Sequence, residues 1–426
     1  MLFSNFTFRK TLSLISLVVI VIVIGNYVIV AQDRPDMKID TATQKRVLSE
    51  LTKDLSENYV FPDLAKKMSA DINSRFAKGE YAKLLSANQF ANTLTKNLRA
   101  ISKDKHLRVR FSEREIPIRQ TRTKPTEDEQ KRYVAQLKQR NFGFEKVERM
   151  QGNVGYIDLR GFSDHEMGAK TVDAAMNFLA NTDALIFDLR RNGGGSPRMV
   201  ALISSYLFSD KRVHLNDLYW RKGDSTNEFW TDPEKASVKF NGKEIYILTS
   251  KRTFSAAEEF SYNLRNLKRA TIVGETTGGG AHPGGMFRLD KHFQAFISTG
   301  RAISPITKTN WEGKGVQPNI KSTKKDAFIV AYIDALDKTV KRKKSNVFNK
   351  VGYTYLQENN VDFAIKVFQK NTELYPNDAN VWDSLGEAYF YKKDKTNALK
   401  AYRKALALDA SSTSAKKMIQ KLESIK

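Results

Sequence analysis

Ser255 stands in the segment Thr253-Phe254-Ser255-Ala256-Ala257-Glu258, after an apolar run that ends near Thr249 and at the head of a helix-forming stretch. A hydroxyl there has two uses. Ser255-x-x-Glu258 spells a capping box, in which the serine satisfies the N–H of the third helical residue and the glutamate bonds back. The same hydroxyl, set among the orphan N–H groups that open a helix, is also placed to act as a nucleophile in acyl transfer. The two roles differ in where the hydroxyl points, and local sequence leaves both open. A thiol nucleophile is excluded, because the chain has no cysteine.

A second candidate is Asp188-Leu189-Arg190-Arg191-Asn192-Gly193-Gly194-Gly195, which follows an apolar strand and precedes a helix near Pro197. Glycines there let the backbone turn sharply and present free N–H groups at a helix N-terminus, a natural anion site. The run lacks the Gly-Lys-Ser/Thr ending of a P-loop and the GxGxxG spacing of a dinucleotide site. An oxyanion hole needs the same donors.

A nucleophilic serine needs a base, and the five histidines are His106, His165, His214, His282 and His292. None is paired at the helical spacing of a metal site, so neither a zinc site nor a cofactor is expected. His106 stands out in Asp104-Lys105-His106-Leu107, just before the alternating Arg108-Val109-Arg110-Phe111. His282 reads as an exposed histidine in a mobile wall from Gly278 to Gly285.

Elements that must position these residues follow from hydrophobic periodicity. Residues 32–112 read as an N-terminal helical domain carrying His106, with Leu48, Leu51, Leu55, Tyr59, Leu64, Met68, Ile72 and Phe76 at helical spacing. Residues 113–142 read as a charged linker, with a polar helix at roughly 127–140. From Gly155 strands and helices alternate, which predicts an α/β core over 143–330, a mixed sheet flanked by helices. Strands are expected at 154–159, 184–189, 244–249 and 271–273, with helices near 165–180, 198–207 and 256–266. Residues 346–426 repeat at a period of 34: Gly352 pairs with Gly386, Tyr355 with Tyr389, and Ala364 with Ala398. Trp382-x-x-Leu385-Gly386-x-x-Tyr389 matches the tetratricopeptide pattern, so an all-α repeat domain is expected, with 411–424 as its capping helix.

The chain of 426 residues is long enough for two or three cores, and its apolar and charged fractions, 41% and 28%, are those of a globular protein. Its formal charge of +24 comes from lysines and arginines scattered through every segment. No basic run with interleaved aromatics appears, which argues against a nucleic-acid partner. Arg9 and Lys10 precede an apolar run from Leu12 to Gly25, and Ile29-Val30-Ala31 offers a cleavage site. Residues 1–31 therefore read as a signal peptide or a membrane anchor. Either places the rest of the chain in the periplasm or another extracytoplasmic space.

Five segments occur in order: Asp104-Lys105-His106-Leu107; Asp188 to Gly195; Thr249 to Glu258; Gly274-Glu275-Thr276-Thr277-Gly278-Gly279-Gly280; and Gly315-Val316-x-Pro318-Asn319-Ile320. Together they resemble the C-terminal processing (tail-specific) serine peptidase family, in the branch of the tricorn core and interphotoreceptor retinoid-binding protein. The resemblance implies Ser255 as nucleophile, with oxyanion donors from the N–H of Ala256 and of Gly193 or Gly194. Where one branch of the family carries a catalytic lysine this chain has Gly280, so the resemblance implies the histidine branch, with His106 as base and Glu312 as its partner. A serine precedes that histidine in tricorn, and Lys105 stands here; Glu312 first and Asp104 second are the groups to fix the imidazole tautomer. No segment resembles the inserted PDZ-like domain. The activity implied is an exported serine endopeptidase acting on a protein or peptide substrate, with the repeats holding a protein partner or recruiting substrate. The alternative is a non-catalytic carrier of apolar ligands or a repeat-based scaffold on the same fold.

Overall fold

The computed structural model describes residues 36–118 and 126–424. The sequence-derived signal peptide or anchor at 1–31 lies outside them. Among the described residues no helix is long and apolar enough to cross a membrane.

Three helices open the described chain, α1 (Thr41–Asn58), α2 (Pro62–Ala77) and α3 (Ala87–Ser102), followed by a short strand β1 (Arg108–Phe111). Asp40 and Ser86 cap α1 and α3 by accepting N–H groups from Thr43 and Gln89. The polar helix α4 (Glu127–Gln139) buries no residue. A six-stranded sheet then builds from β2 (Phe144–Met150), β3 (Val154–Leu159), β4 (Ala184–Asp188), β7 (Glu244–Thr249), β8 (Thr271–Gly274) and β12 (Ile320–Lys321), in the order β12-β8-β7-β4-β3-β2. Only β2 runs antiparallel to its neighbour, so the sheet is mixed. Helices α5 (His165–Phe178), α6 (Pro197–Ser205) and α7 (Ala256–Asn266) are the crossovers.

Side-chain alternation explains the layers. Leu185 and Phe187 of β4, with Ile245 and Ile247 of β7, pack with Val172, Val200 and Phe260 of the three helices. The intervening Ile186, Tyr246 and Leu248 face the other way, onto helix α8 (Ala327–Thr339). Both faces are covered, as a parallel sheet requires.

Several strands lie outside the βα alternation. A hairpin of β5 (His214–Trp220) and β6 (Ser225–Trp230) pairs with β11 (Gly300–Ile303). Strands β9 (Gly284–Arg288) and β10 (Phe293–Ser298) form a third sheet in the order β1-β10-β9. Phe293, Ala295 and Ile297 of β10 share one apolar cluster with Leu51, Met68, Phe90 and Leu94 of the N-terminal helices. The core of the helices that precede His106 is thus completed by a strand that arrives far later in the chain.

The repeats are α9 (Lys344–Gln357) with α10 (Val361–Leu374), and α11 (Ala379–Tyr391) with α12 (Lys395–Leu408), closed by α13 (Thr413–Ser424). Phe348, Val351 and Val367 pack into the cluster of α8 and the sheet. Deleting residues 346–426 would expose that apolar face. The expected outcome is a drop in thermal midpoint together with aggregation, measured by calorimetry and light scattering against the full chain.

Candidate active site

Ser255 is the first point at which the local sequence and the local geometry part. Its backbone sits at φ 56°, ψ −124°, a conformation that a non-glycine residue holds only when its surroundings impose it. The capping-box outline is present, and the Ser255 N–H donates to Glu258 Oε2 at 2.9 Å. The Glu258 N–H, however, donates to the Ser255 carbonyl oxygen at 2.8 Å, and no cap bond ties down the Ser255 hydroxyl.

The imposing contacts come from two loops. Thr253 Oγ1 donates to Leu189 O at 2.8 Å, Ser250 Oγ to Arg190 O at 2.7 Å, and Phe254 N to Asn192 O at 3.2 Å. These bonds lay the serine loop against the glycine run. Asp188 anchors that run from below, accepting from the Arg190 guanidinium and from the Tyr156 hydroxyl at 2.8 Å. Gly194 lies so close to the nucleophile position that a Cβ there would fall 2.7 Å from Ser255 Cβ and 3.0 Å from the Ala256 N. Its φ of +106° adds a second reason for glycine.

The oxyanion expectation needs one correction. The Gly194 N–H is already given to Asn192 Oδ1 at 2.8 Å, because Asn192 is itself buried and fixed by donating to Leu159 O at 2.9 Å. Among the described residues no hydrogen bond uses the N–H of Gly193 or of Gly195, and Ala256 opens its helix with an orphan N–H. Of the three oxyanion candidates Gly193, Gly194 and Ala256, the first and the last keep their N–H groups free for a ligand.

Glu258 ties Ser255 to the 277–280 loop. It is fully buried and accepts from Thr277 Oγ1 at 2.5 Å, Gly279 N at 2.6 Å and Gly280 N at 2.8 Å, besides Ser255 N. Burial pushes its carboxyl up to about 7, and these donors oppose the rise. Nothing in the sequence pattern beyond the capping box signalled this second duty.

Its neighbour Glu259 is also buried, and one carboxylate oxygen lacks a partner. Desolvation raises it from 4.5 to about 8, with Asn216 opposing. The folded state thus holds this proton more tightly than the unfolded chain. Its contribution to stability is full below about pH 4.5 and is lost as pH rises through 8. Glu259→Gln is expected to flatten the fall in unfolding free energy between pH 5 and 8, by up to about 1.4 kcal/mol per pH unit, measured by urea unfolding across that range.

His106 reaches the site from the other cluster. Helix α3 ends at Lys103, which is left-handed at φ 58°. Asp104 Oδ1 then accepts the backbone N–H of His106 at 2.8 Å and of Leu107 at 3.3 Å. Arg99 clamps the same turn by donating to the Leu107 and Lys105 carbonyls at 2.8 and 2.6 Å. The imidazole is buried, with its ring centroid 4.6 Å from that of Phe254 and 5.7 Å from that of Phe296. Burial draws its pKa down to about 4, against the pull of Asp104.

Neither proposed orienting group holds the ring. Nδ1 of His106 is buried without a hydrogen-bond partner. Asp104 spends its oxygens on backbone N–H groups and on the Tyr59 hydroxyl at 3.2 Å. Glu312 accepts from Ala281 N and, at 3.4 Å, from Lys105 N. Donor atoms of Asp104, His106 and Glu312 nonetheless lie within 4.8 Å of one another. Lys105 points its ammonium at Gly278 O, 2.5 Å away. Ser255 and His106 are not joined by a hydrogen bond among the described residues; Phe254 packs on the imidazole, and a Cβ on Gly280 would meet both rings.

His282 is not exposed, contrary to the expectation from its glycine-rich surroundings. It is 6% exposed, with Nδ1 3.6 Å from Asp104 Oδ2 and 3.5 Å from Glu312 Oε2, and its ring edge against Phe61. The loop folds inward because Trp311 Nε1 binds Gly280 O at 2.8 Å and Glu312 binds Ala281 N. A separate cleft between α5, α6 and β6, lined by His165, Arg198, Tyr206 and Trp230, contains none of these residues.

Residues 153–322 match the model of peptidase family S41, residues 41–143 match the N-terminal domain of that family in eukaryotic IRBP, and residues 379–412 match a tetratricopeptide repeat. A probable CtpA-like serine protease of Staphylococcus haemolyticus is 24% identical over 182 residues, 41% of this chain and 34% of that protein. The chloroplastic carboxyl-terminal-processing peptidase 2 of Arabidopsis thaliana is 27% identical over 169 residues, 39% of this chain and 31% of that protein. The chain spans about a third of the length of these curated relatives. Among solved structures, a peptidase from Parabacteroides merdae superposes with a TM-score of 0.48 at 19% identity, covering 70% of this chain and 99% of that one. Through residues 41–143 and 153–322, this chain belongs to peptidase family S41.

Proposed function

We propose that this protein is an exported serine endopeptidase whose nucleophile is Ser255 and whose base is His106. The observation that carries the reading is the Ser255 backbone, held at positive φ by Glu258 and the glycine run with its hydroxyl free of a cap bond. A serine that only capped a helix would not require that conformation.

In this mechanism His106 removes the Ser255 proton and the oxygen attacks the scissile carbonyl. The Gly193 and Ala256 N–H groups receive the oxyanion. Protonated His106 then passes its proton to the leaving amine, and water releases the acyl-enzyme by the reverse relay. A neutral imidazole is what a base needs, and burial of His106 favours it. For the proton to move, the Phe254 ring must yield so that imidazole and hydroxyl close to about 2.6–3.2 Å. Asp104 positions His106 through the backbone, and Glu312 completes the charge environment on the far side.

The substrate class is an unfolded or extended polypeptide, with the repeats as a recruiting surface. The extracytoplasmic location rests on Arg9, Lys10 and the apolar run before Ala31. A fluorophosphonate probe tests the assignment. Covalent labelling at Ser255, lost in Ser255→Ala and in His106→Ala, is expected by mass spectrometry. A folded wild-type protein that neither labels nor cleaves an unfolded protein would sink the peptidase reading in favour of a carrier or scaffold.

A further inference from the structure

We propose that Asp104, His106, His282 and Glu312 form a site for one divalent cation of the Zn2+ type, and that filling it withdraws His106 from Ser255. The second clause rests on the proposed function; the binding site does not.

The four residues come from three segments distant in sequence, the turn after α3 and the loops that follow β8 and β11. Donor atoms of Asp104, His106 and Glu312 lie within 4.8 Å of one another. Nδ1 of His282 lies 3.6 Å from Asp104 Oδ2 and 3.5 Å from Glu312 Oε2. Both contacts are too long for a good hydrogen bond. His106 and His282 are 7% and 6% exposed, and the Nδ1 atoms of both are buried without a partner. An imidazole nitrogen of His282 that lacks a hydrogen-bond partner between two carboxylates, with His106 beside them, forms an unsatisfied set that calls for an explanation.

Charge supplies one. Two buried carboxylates face a single imidazole nitrogen, whose one proton can serve only one of them. Nearby cations are turned elsewhere: Lys105 to the Gly278 carbonyl, Arg99 to the Lys105 and Leu107 carbonyls, and Arg108 over the Phe296 ring. A divalent ion with two neutral imidazoles and two carboxylates makes a neutral centre. Two nitrogens and two carboxylate oxygens suit Zn2+ or Co2+, whereas Mg2+ and Ca2+ favour all-oxygen shells. Ligand bonds of about 2.0–2.2 Å require the donors to draw together by an ångström or so. The carboxylates are already braced by the His106, Leu107 and Ala281 N–H groups and the Tyr59 hydroxyl, the outer support that metal ligands use.

The full chain is titrated with Co2+ alone, followed by visible absorption, and with Zn2+ by calorimetry. One ion per chain, with the visible bands of four-coordinate Co2+, is expected. Affinity should fall at least about 100-fold in His282→Ala and in Glu312→Gln, each verified as folded by its thermal melt. Independently of any variant, Zn2+ should protect His106 and His282 of the wild type from diethyl pyrocarbonate while His165, His214 and His292 are modified. Stoichiometric Zn2+ should also stop fluorophosphonate labelling of Ser255, and a chelator should restore it. The absence of one-to-one binding overturns the site, as does binding that neither protects the two histidines nor weakens in the variants. Labelling that persists with Zn2+ bound overturns the inhibitory role. A metal-free protein that never labels removes the peptidase reading, while the titration still decides the site.

Discussion

Ser255→Ala is expected to lower peptide or ester hydrolysis by about 10^4 to 10^6-fold while leaving the denaturant midpoint nearly unchanged. The pairing of these two results separates the roles that the local sequence left open. A serine acting as a cap contributes about 0.5–2 kcal/mol to stability, and its removal would leave any remote activity untouched. Here the hydroxyl makes no cap bond, and alanine inherits the same strained backbone, so stability has little to lose. The rate has everything to lose, because the attacking oxygen is gone. His106→Ala should cost a comparable factor, and the double variant little more than either alone, since the two act as one unit. Steady-state kinetics with active-site titration, beside urea unfolding, measures both quantities. Unchanged hydrolysis in Ser255→Ala would move the chemistry to another residue.

Glu258→Ala is expected to be the more damaging substitution for the fold, with a loss above about 4 kcal/mol. The carboxylate accepts from Ser255 N, Gly279 N, Gly280 N and Thr277 Oγ1 in a buried setting. Removing it strands four donors, each costing on the order of 1–3 kcal/mol less whatever water enters the space. Glu258→Gln keeps the shape but turns an amide N–H2 toward backbone N–H groups, so it should lose less stability while still releasing Ser255 and the 279–280 turn. Its expected signature is a fall in kcat of about 10^2-fold or more with a smaller change in KM, because the oxyanion geometry loosens before the substrate contacts do. Wild-type kinetics in Glu258→Gln would show that the Ser255 backbone is held by the glycine run alone.

The strands and helices that cross the central sheet were legible because each signal is local. Continuous apolar runs from Ala184 to Phe187 and from Ile245 to Leu248 mark strands buried on both faces, and the structure has them there. The period of 34 likewise announced the repeat helices, since each pair repeats its own packing. Strands β5, β6, β9, β10 and β11 went unread. Their short, mixed-polarity segments become strands through pairing with distant partners, such as Val109 with Ala295.

Within the site the division is the same. Residue types and order, with the resemblance they carry, singled out Ser255, His106, Glu312 and the glycine run as the candidates, and showed neither a cysteine nor a lysine at position 280. Tertiary structure alone decided that the Ser255 backbone is held at positive φ, that Asn192 takes the Gly194 N–H, and that His282 is buried between two carboxylates. Those facts depend on loops from different segments closing on one another. A hydrogen bond between residues 31 or 173 positions apart leaves no period in the chain that could announce it.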